Sequence, residues 1–238
     1  MRTRKRTTRK EFPAEPGDEG VRERILEAAE AGFHRHGLAR VSMDDLAADL
    51  GMSKKTIYKY FPSRSALRAS FVRRTMRRIE SGVASVTDAD GTPLEKVTGV
   101  LGVVGSQILR FNREMAADVA RLEPALWKEV VRFRRGMLTR RILPLLRDAK
   151  EAGMMRPDLR PELFFLILLH AVEGIINPEA LAEQSFSAGE AFAGIYHILF
   201  RGALTPEAAE EFRTALLAPV LDPGEALAGP PVRPRTEQ

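Results

Sequence analysis

The chain contains 238 residues, which is enough for one or two domains with a sizeable core. It has no cysteine, which excludes a disulfide framework, a thiolate metal site and a cysteine nucleophile. The N-terminus is charged and lacks the apolar stretch of a secretory signal. The longest apolar run, residues 163–172, is too short for a bilayer, which needs about 20 residues. We therefore expect a soluble, cytoplasmic protein with no membrane partner.

The basic residues are unevenly distributed along the chain, although the net charge at pH 7 is only +5. Residues 1–10 contain six basic side chains and no acidic one, and residues 50–79 contain nine, again without an acid. The rest of the chain is acidic. This asymmetry favours a polyanionic partner at one end of the protein, while a solvated basic surface is the alternative for either run taken alone.

The predicted elements begin after residues 1–20, a basic segment with prolines that we expect to be a disordered arm. Apolar residues then recur at helical spacing from Val21 onward, until a glycine stop. Ser42 and Asp45 have the spacing of a capping box, and Gly51 follows as the next stop. The helices predicted before the turn at residues 90–93 are 21–36, 42–50, 54–61 and 63–86.

Every segment after this turn also has helical periodicity. The predicted helices are 94–113, 114–122, 124–151, 162–177, 186–201 and 206–217. Residues 219–238 contain five prolines and two glycines, which predicts a flexible tail. No segment alternates with period two. We therefore predict an all-α fold, with a three-helix domain over residues 21–67 followed by a helical bundle over residues 68–218.

The segment from the second to the third helix has the pattern of a helix-turn-helix. A small residue at Ala47 lets two helices approach, Gly51 permits a left-handed turn, and Ile57 fixes the second helix on the core. The other residues of that helix are expected to face outward: Lys54, Lys55, Thr56, Tyr58 and Lys59. Such a helix can enter the major groove, where cations and hydroxyls reach base edges and phosphates.

This part of the chain resembles the DNA-binding domain of TetR/AcrR-type transcriptional regulators. The resemblance extends over residues 25–67, about a fifth of the chain, and is strongest in VSMDDLAADLGMSKKTIYKYF, residues 41–61. The later helices resemble the family only in their layout. Membership implies a homodimer, a double-stranded DNA operator with two-fold character, and a small-molecule effector held in the C-terminal bundle.

The resemblance also implies roles for individual residues. Ser42 and Tyr60 match positions that contact backbone phosphate, and Arg64 matches a cation at the start of the fourth helix, where lysine is more usual. Four residues match groove-facing positions. The implied DNA-binding set is Ser42, Lys54, Lys55, Thr56, Tyr58, Lys59, Tyr60 and Arg64.

The effector pocket has no shared motif, so its residues are predicted by their position in the bundle. Gln107, Phe111, Trp127 and Phe133 lie on helices that border the pocket in proteins of this resemblance, although a single aromatic there is more often plain core. His170 and Glu173 form a polar stripe in an apolar helix, either at a dimer interface or in the pocket.

The helices 162–177 and 186–201 carry more apolar surface than a monomer can hide, and we expect them to pair with their symmetry mates. Leu168 and Ile195 are the interface positions that the sequence suggests. On the preceding helix 94–113, three glycines share one side, which favours close contact between helices over space left for a ligand.

No catalytic, cofactor or metal site is expected. The sequence has no nucleophile elbow, Walker A loop, dinucleotide fingerprint or zinc-protease motif. His34 and His36 are two residues apart on a helix, so they point to different faces. We therefore expect a DNA-binding transcriptional regulator and not an enzyme, most simply a repressor released by an effector. The alternative is an effector-independent or activating DNA-binding protein of the same fold.

Overall fold

The computed structural model describes residues 18–110 and 113–220. The basic arm up to residue 17, Phe111 and the tail from residue 221 lie outside this part of the chain. Within it the backbone forms eleven helices and no strand: α1 (Asp18–His36), α2 (Met43–Leu50), α3 (Lys54–Tyr60), α4 (Arg64–Asp88), α5 (Pro93–Arg110), α6 (Arg113–Leu122), α7 (Pro124–Glu151), α8 (Pro161–Ile175), α9 (Pro178–Ala182), α10 (Ala188–Ala203) and α11 (Pro206–Val220). The prediction of an all-helical fold is confirmed.

Side-chain caps fix the first helices where the sequence predicted them. The Ser42 hydroxyl accepts the N–H of Asp45 at 3.1 Å, and the Asp45 carboxylate accepts the N–H of Ser42 at 3.2 Å, which completes the capping box. Gly51 ends α2 with a φ of 62°, in the left-handed region that favours glycine. Ser53 and Ser63 accept backbone N–H groups at the starts of α3 and α4.

Several helix boundaries differ from the prediction by one to three residues, and α11 extends to Val220, two residues into the predicted tail. The first helix begins at Asp18, so it includes the last three residues of the predicted arm. The predicted helix 162–177 ends at Ile175, and a short helix, α9, follows. Asn177 causes this break because its side-chain oxygen accepts the N–H of Ala180 at 2.8 Å, with Pro178 at the first helical position.

Two hydrophobic clusters form the core, and α4 takes part in both. The N-terminal cluster joins α1 to α3 with Leu67 and Phe71 of α4, and also takes in Met115 and Val119 of α6. The second cluster joins α5, α7, α8, α10 and α11 with Val83, near the end of α4. The helices α4 and α6 therefore connect the helix-turn-helix to the bundle.

Close packing explains two of the glycines on α5. A Cβ atom at Gly99 would lie 2.6 Å from Val86 Cγ1, and one at Gly105 would lie 3.0 Å from Phe192 Cε1. A side chain at Gly99 would therefore displace Val86, and one at Gly105 would crowd the ring of Phe192. The expectation of close helix contact is confirmed at these two positions.

Candidate nucleic-acid interface and cavity

The helices α2 and α3 form the predicted helix-turn-helix. Ala47 and Ile57 are buried between the helices, and the N–H of Met52 donates to the carbonyl of Ala47 at 2.9 Å across the turn. The opposite side of α3 is open to solvent, and Tyr58 is 47% exposed although it is a large aromatic residue. Lys55 and Tyr58 form no hydrogen bond or ion pair with any other residue that the structure describes.

Two lysines of α3 are paired with carboxylates from other helices. Lys54 Nζ lies 2.6 Å from Asp44 Oδ2, and Lys59 Nζ lies 2.8 Å from Asp18 Oδ1. The hydroxyl of Tyr60 donates to the same Asp18 oxygen at 2.6 Å. Both lysines and both aspartates are exposed, so phosphate groups can compete for the cations. The sequence did not predict these pairs, because both aspartates lie outside the basic run and on other helices.

Ser42 and Arg64 are engaged in local contacts. Arg64 Nη2 donates to the carbonyl of Ala39 at 2.6 Å, which fixes the loop between α1 and α2. The Ser42 hydroxyl lies 2.6 Å from an oxygen of Asp45, whose pKa is held below its ordinary value by hydrogen bonds from Ser42. Both residues therefore have local hydrogen-bond partners, and their contacts with DNA remain a prediction from the resemblance.

Four of the nine basic residues in the run 50–79 have a structural role. They lie on α4 and pair with carboxylates of α1, the α6–α7 junction and α7: Arg68 with Glu123, Arg73 with Glu129, Arg74 with Glu23 and Glu30, and Arg78 with Glu30. Treating the whole run as one basic surface is therefore wrong. The five other cations of the run are Lys54, Lys55 and Lys59 on α3, Arg64 at the start of α4, and Arg77 further along α4.

A cavity of about 160 Å³ lies inside the bundle, with walls from α4 to α10. Its lining is largely apolar and includes Gln107, Trp127 and Phe133, three of the predicted pocket residues. Val130 also lines the cavity, and both Val130 and Phe133 are half-buried.

Two polar side chains in the cavity wall have polar atoms without a hydrogen-bond partner among the described residues. Arg134 Nη1 donates to the carbonyl of Ile176 at 2.8 Å, but its Nε is buried without a hydrogen-bond partner among the described residues. Burial lowers the pKa of Arg134. Tyr196 is 1% exposed, its hydroxyl forms no hydrogen bond within the described chain, and burial raises its pKa well above the ordinary value.

Sequence reasoning missed Arg134, although a signal was present. Arg134 lies four residues after Val130 and three before Met137, on the apolar face of α7. A lone arginine on an apolar helical face must find a partner or shift its pKa when buried.

His170 and Glu173 do not line the cavity, so their assignment to the pocket is corrected. The Glu173 carboxylate accepts two hydrogen bonds from Arg135, at 2.8 and 2.7 Å, which lower its pKa. The His170 side chain is 69% exposed and lies 4.0 Å from Glu173. Both belong to the outer face of the bundle because α8 turns its apolar side, including Val172, inward. Phe111 lies outside the described residues.

Comparison with known proteins identifies the family. Residues 25–71 match the model of bacterial regulatory proteins of the tetR family. The HTH-type transcriptional repressor SCO4008 of Streptomyces coelicolor is 40% identical over 164 residues, which cover 68% of this chain and 81% of that protein. The chain belongs to the TetR family. An HTH-type regulator of Bacillus subtilis, YvaF, is 26% identical to this TetR-family chain over 71% of it and 88% of the relative.

Solved structures share the fold of this TetR-family protein. A transcriptional regulator from Saccharomonospora viridis in complex with choline has a TM-score of 0.62 at 17% identity and covers 79% of this chain and 100% of its own. SmeT, the repressor of the Stenotrophomonas maltophilia multidrug efflux pump SmeDEF, has a TM-score of 0.55 at 22% identity, over 79% and 92%. The protein is a DNA-binding regulator of transcription and not an enzyme.

Contacts of α6 and the start of α7 connect the DNA-binding helices of this TetR-family protein to its helical bundle. Asp118 accepts the N–H of Ala39 at 2.9 Å. Glu123 accepts hydrogen bonds from Ser65 at 2.7 Å and from Arg68 at 2.6 Å. Ala116 of the same α6 lines the cavity.

The outer faces of α8 and α10 expose large apolar side chains. Leu163, Leu166 and Ile167 on α8 are about half exposed, and Ile198 on α10 is 71% exposed. No helix in the described ranges combines the length and the apolar character that crossing a membrane requires.

Proposed function

We propose that this TetR-family regulator is a homodimeric repressor that binds a two-fold operator in the cytoplasm and leaves it when a small molecule fills the bundle cavity. Residues 21–67 read the DNA, and residues 68–218 bind the effector and the second subunit. The observation that carries this proposal is the double role of α6, which lines the cavity through Ala116 and holds the loop before α2 through Asp118.

In this proposal α3 enters the major groove. Lys55, Thr56 and Tyr58 read base edges, because they face outward and two of them have no competing partner. The remaining residues of the set hold the backbone: Ser42, Lys54, Lys59, Tyr60 and Arg64. Phosphates replace Asp44 and Asp18 at the two lysines, which is favourable because a duplex offers a much denser negative charge than single carboxylates.

Dimerisation through α8 and α10 accounts for the exposed apolar residues of these helices. Side chains such as Leu166 and Ile198 would bury their surface against the second subunit. Exposed apolar patches commonly mark such interfaces between proteins. Leu168 and Ile195, the positions suggested by the sequence, are instead buried within the subunit. They face the core because each lies on the inner side of its helix.

An effector would act through the cavity walls. Val72 and Met76 of α4 line the cavity, and Arg68 on the same helix is held by Glu123 at the α6–α7 junction. A molecule that separates α4 from α7 would shift α4 and α6 together and move the helix-turn-helix with them. In a dimer, the two α3 helices must lie about 34–36 Å apart to enter successive major grooves. The shift would change this spacing and so weaken operator binding.

Operator selection tests the proposal. Duplexes selected from a random pool at fixed salt should contain a two-fold site with half-sites about one helical turn apart, and a reporter behind this site should be repressed. A selected site without two-fold symmetry, or an activated reporter, would contradict the proposal. Filling the cavity with Val104→Phe should abolish the response to any effector while operator binding persists, and Lys128→Phe on the exposed side of α7 serves as the control.

A further inference from the structure

The charge inside the cavity restricts what can bind there. Arg134 is the one charged side chain among the described residues that line it, and the remaining wall is largely aliphatic and aromatic. The guanidinium has five N–H donors, but the structure records a single hydrogen bond, from Nη1 to the carbonyl of Ile176. Its Nε is buried and unpartnered within the described chain.

Nearby carboxylates do not neutralise this charge. Glu173 is close enough to attract Arg134 through space, but both of its oxygens accept hydrogen bonds from Arg135 on the outer face. The described residues contain no ion pair to Arg134. The local group of two arginines and one glutamate therefore keeps one excess positive charge, and this charge faces the cavity. A buried cation without a counter-ion is costly, so an anion that binds beside Arg134 offsets part of this cost.

Tyr196 completes the polar end of the cavity. It interacts electrostatically with Arg134, and its hydroxyl has no hydrogen-bond partner in the described chain. Burial raises its pKa, so the phenol stays protonated at neutral pH and can donate. A guanidinium fork and a phenolic donor together match the two oxygens of a carboxylate.

We infer that the effector is an amphipathic carboxylate, whose anionic head pairs with Arg134 and Tyr196 and whose apolar tail lies against Trp127, Phe133 and the aliphatic wall. The inference rests on the proposed function, because it names the chemical class of the effector. Aromatic walls could also hold a quaternary ammonium group. Arg134 disfavours that class here because it would repel a cation inside a poorly solvated space.

A series of three probes with the same tail tests the inference: octanoate, octanol and octylammonium. Trp127 is the one tryptophan of the chain and lines the cavity, so its fluorescence reports binding directly. Octanoate should bind at least tenfold more tightly than octanol, and octylammonium more weakly than either. Equal affinity of octanoate and octanol, or no response to any of the three, would overturn the inference.

Variants assign the charge effect to Arg134. Arg134→Met should weaken octanoate binding by about tenfold to a hundredfold, the usual loss of a charge-assisted hydrogen bond, and should leave octanol binding unchanged. Arg134→Lys should retain part of the preference for the anion, and Tyr196→Phe should lose part of it. Arg132→Met, an exposed position on the same helix, is the matched control. Unchanged octanoate affinity in folded Arg134→Met would also overturn the inference.

Operator binding, measured in parallel by fluorescence anisotropy, separates the two proposals. Octanoate that binds through Arg134 without releasing the operator would support the anion site and contradict the effector role. Octanol or octylammonium that releases the operator, while octanoate does not bind, would support the effector role and contradict the anion site.

Discussion

Asp18 Oδ1 lies 2.8 Å from Lys59 Nζ and also accepts the hydroxyl of Tyr60, so the first residue of α1 occupies two groups of the candidate DNA interface. Hydrogen bonds from Lys59 and Tyr60, together with the charge of Lys59, lower the pKa of the Asp18 carboxylate. The carboxylate is therefore ionised at neutral pH. Without DNA it contacts Lys59 and Tyr60, the two groups that are proposed to bind phosphate.

Replacing this carboxylate should strengthen binding to DNA of any sequence. Asp18→Asn keeps the shape of the side chain but removes the negative charge that competes with phosphate for Lys59. We expect an affinity increase of a few-fold at low salt, equal for operator and unrelated duplex, and smaller at high salt because exposed charges are screened. Glu19→Gln removes a charge from the same helical turn without touching α3 and should have a smaller effect. An increase confined to the operator would contradict this account.

The sequence predicted those features that depend on neighbours in the chain. The capping box of Ser42 and the stop at Gly51 are local, and their residue types alone define the geometry. The Asp18–Lys59 pair joins residues far apart in the chain, so no periodicity indicates it. An asparagine followed by a proline, as at Asn177, is a local signal for the start of a new helix. The apolar run before it nevertheless led to a predicted helix that continued to residue 177.

The residues that line the cavity could also be predicted only in part from the sequence. Aromatic residues of α7 were expected in a pocket, but the lining also depends on where α8 ends and how α10 packs. The prediction placed His170 in the pocket and overlooked Arg134. In the structure His170 on the apolar helix α8 faces outward, and Arg134 on the charged helix α7 lines the cavity. The packing of several helices against one another decides which side of each helix faces the cavity.

Base reading and backbone contact should separate in two substitutions on neighbouring helices. Tyr58→Ala should relax the preference at one base pair and cost about 1–3 kcal/mol for the operator. Arg64→Ala should weaken operator and unrelated DNA alike. Since Arg64 also holds the carbonyl of Ala39, thermal unfolding of this variant should be recorded beside its DNA binding. A narrowed or altered sequence preference in Arg64→Ala, with that of Tyr58→Ala unchanged, would reverse these roles.

Charge on the outer face of the bundle should produce monomers. Ile198→Asp and Leu166→Asp add a charge where both residues are exposed, so the subunit should keep its fold while association fails. Sedimentation should show monomers with weakened operator binding. Lys128→Asp, on the exposed side of α7, is the matched control and should remain dimeric. Leu168→Asp should instead unfold the subunit, because Leu168 is 0% exposed. A wild-type protein that sediments as a monomer at micromolar concentration would remove the proposed interface.

Acid should weaken the connection between α4 and the start of α7. Burial raises the pKa of Glu123, but hydrogen bonds from Ser65 and Arg68 outweigh burial and leave the pKa below its ordinary value of 4.5. A carboxylate whose pKa is lower in the folded state binds fewer protons there than when unfolded. Its contribution to stability is therefore complete above pH 4.5 and is lost as the pH falls through the folded value.

Glu123→Gln should remove this part of the acid dependence and lower the free energy of unfolding near neutral pH by about 1–3 kcal/mol, because Arg68 then loses its charged partner. Denaturant unfolding of both proteins from pH 3 to pH 7 measures the difference, which should shrink as the pH falls below 4.5. Glu210→Gln removes an exposed carboxylate that pairs within α11 and should leave stability nearly unchanged at neutral pH. A difference between wild type and Glu123→Gln that stays constant over this range would show that the charge of Glu123 does not hold α4.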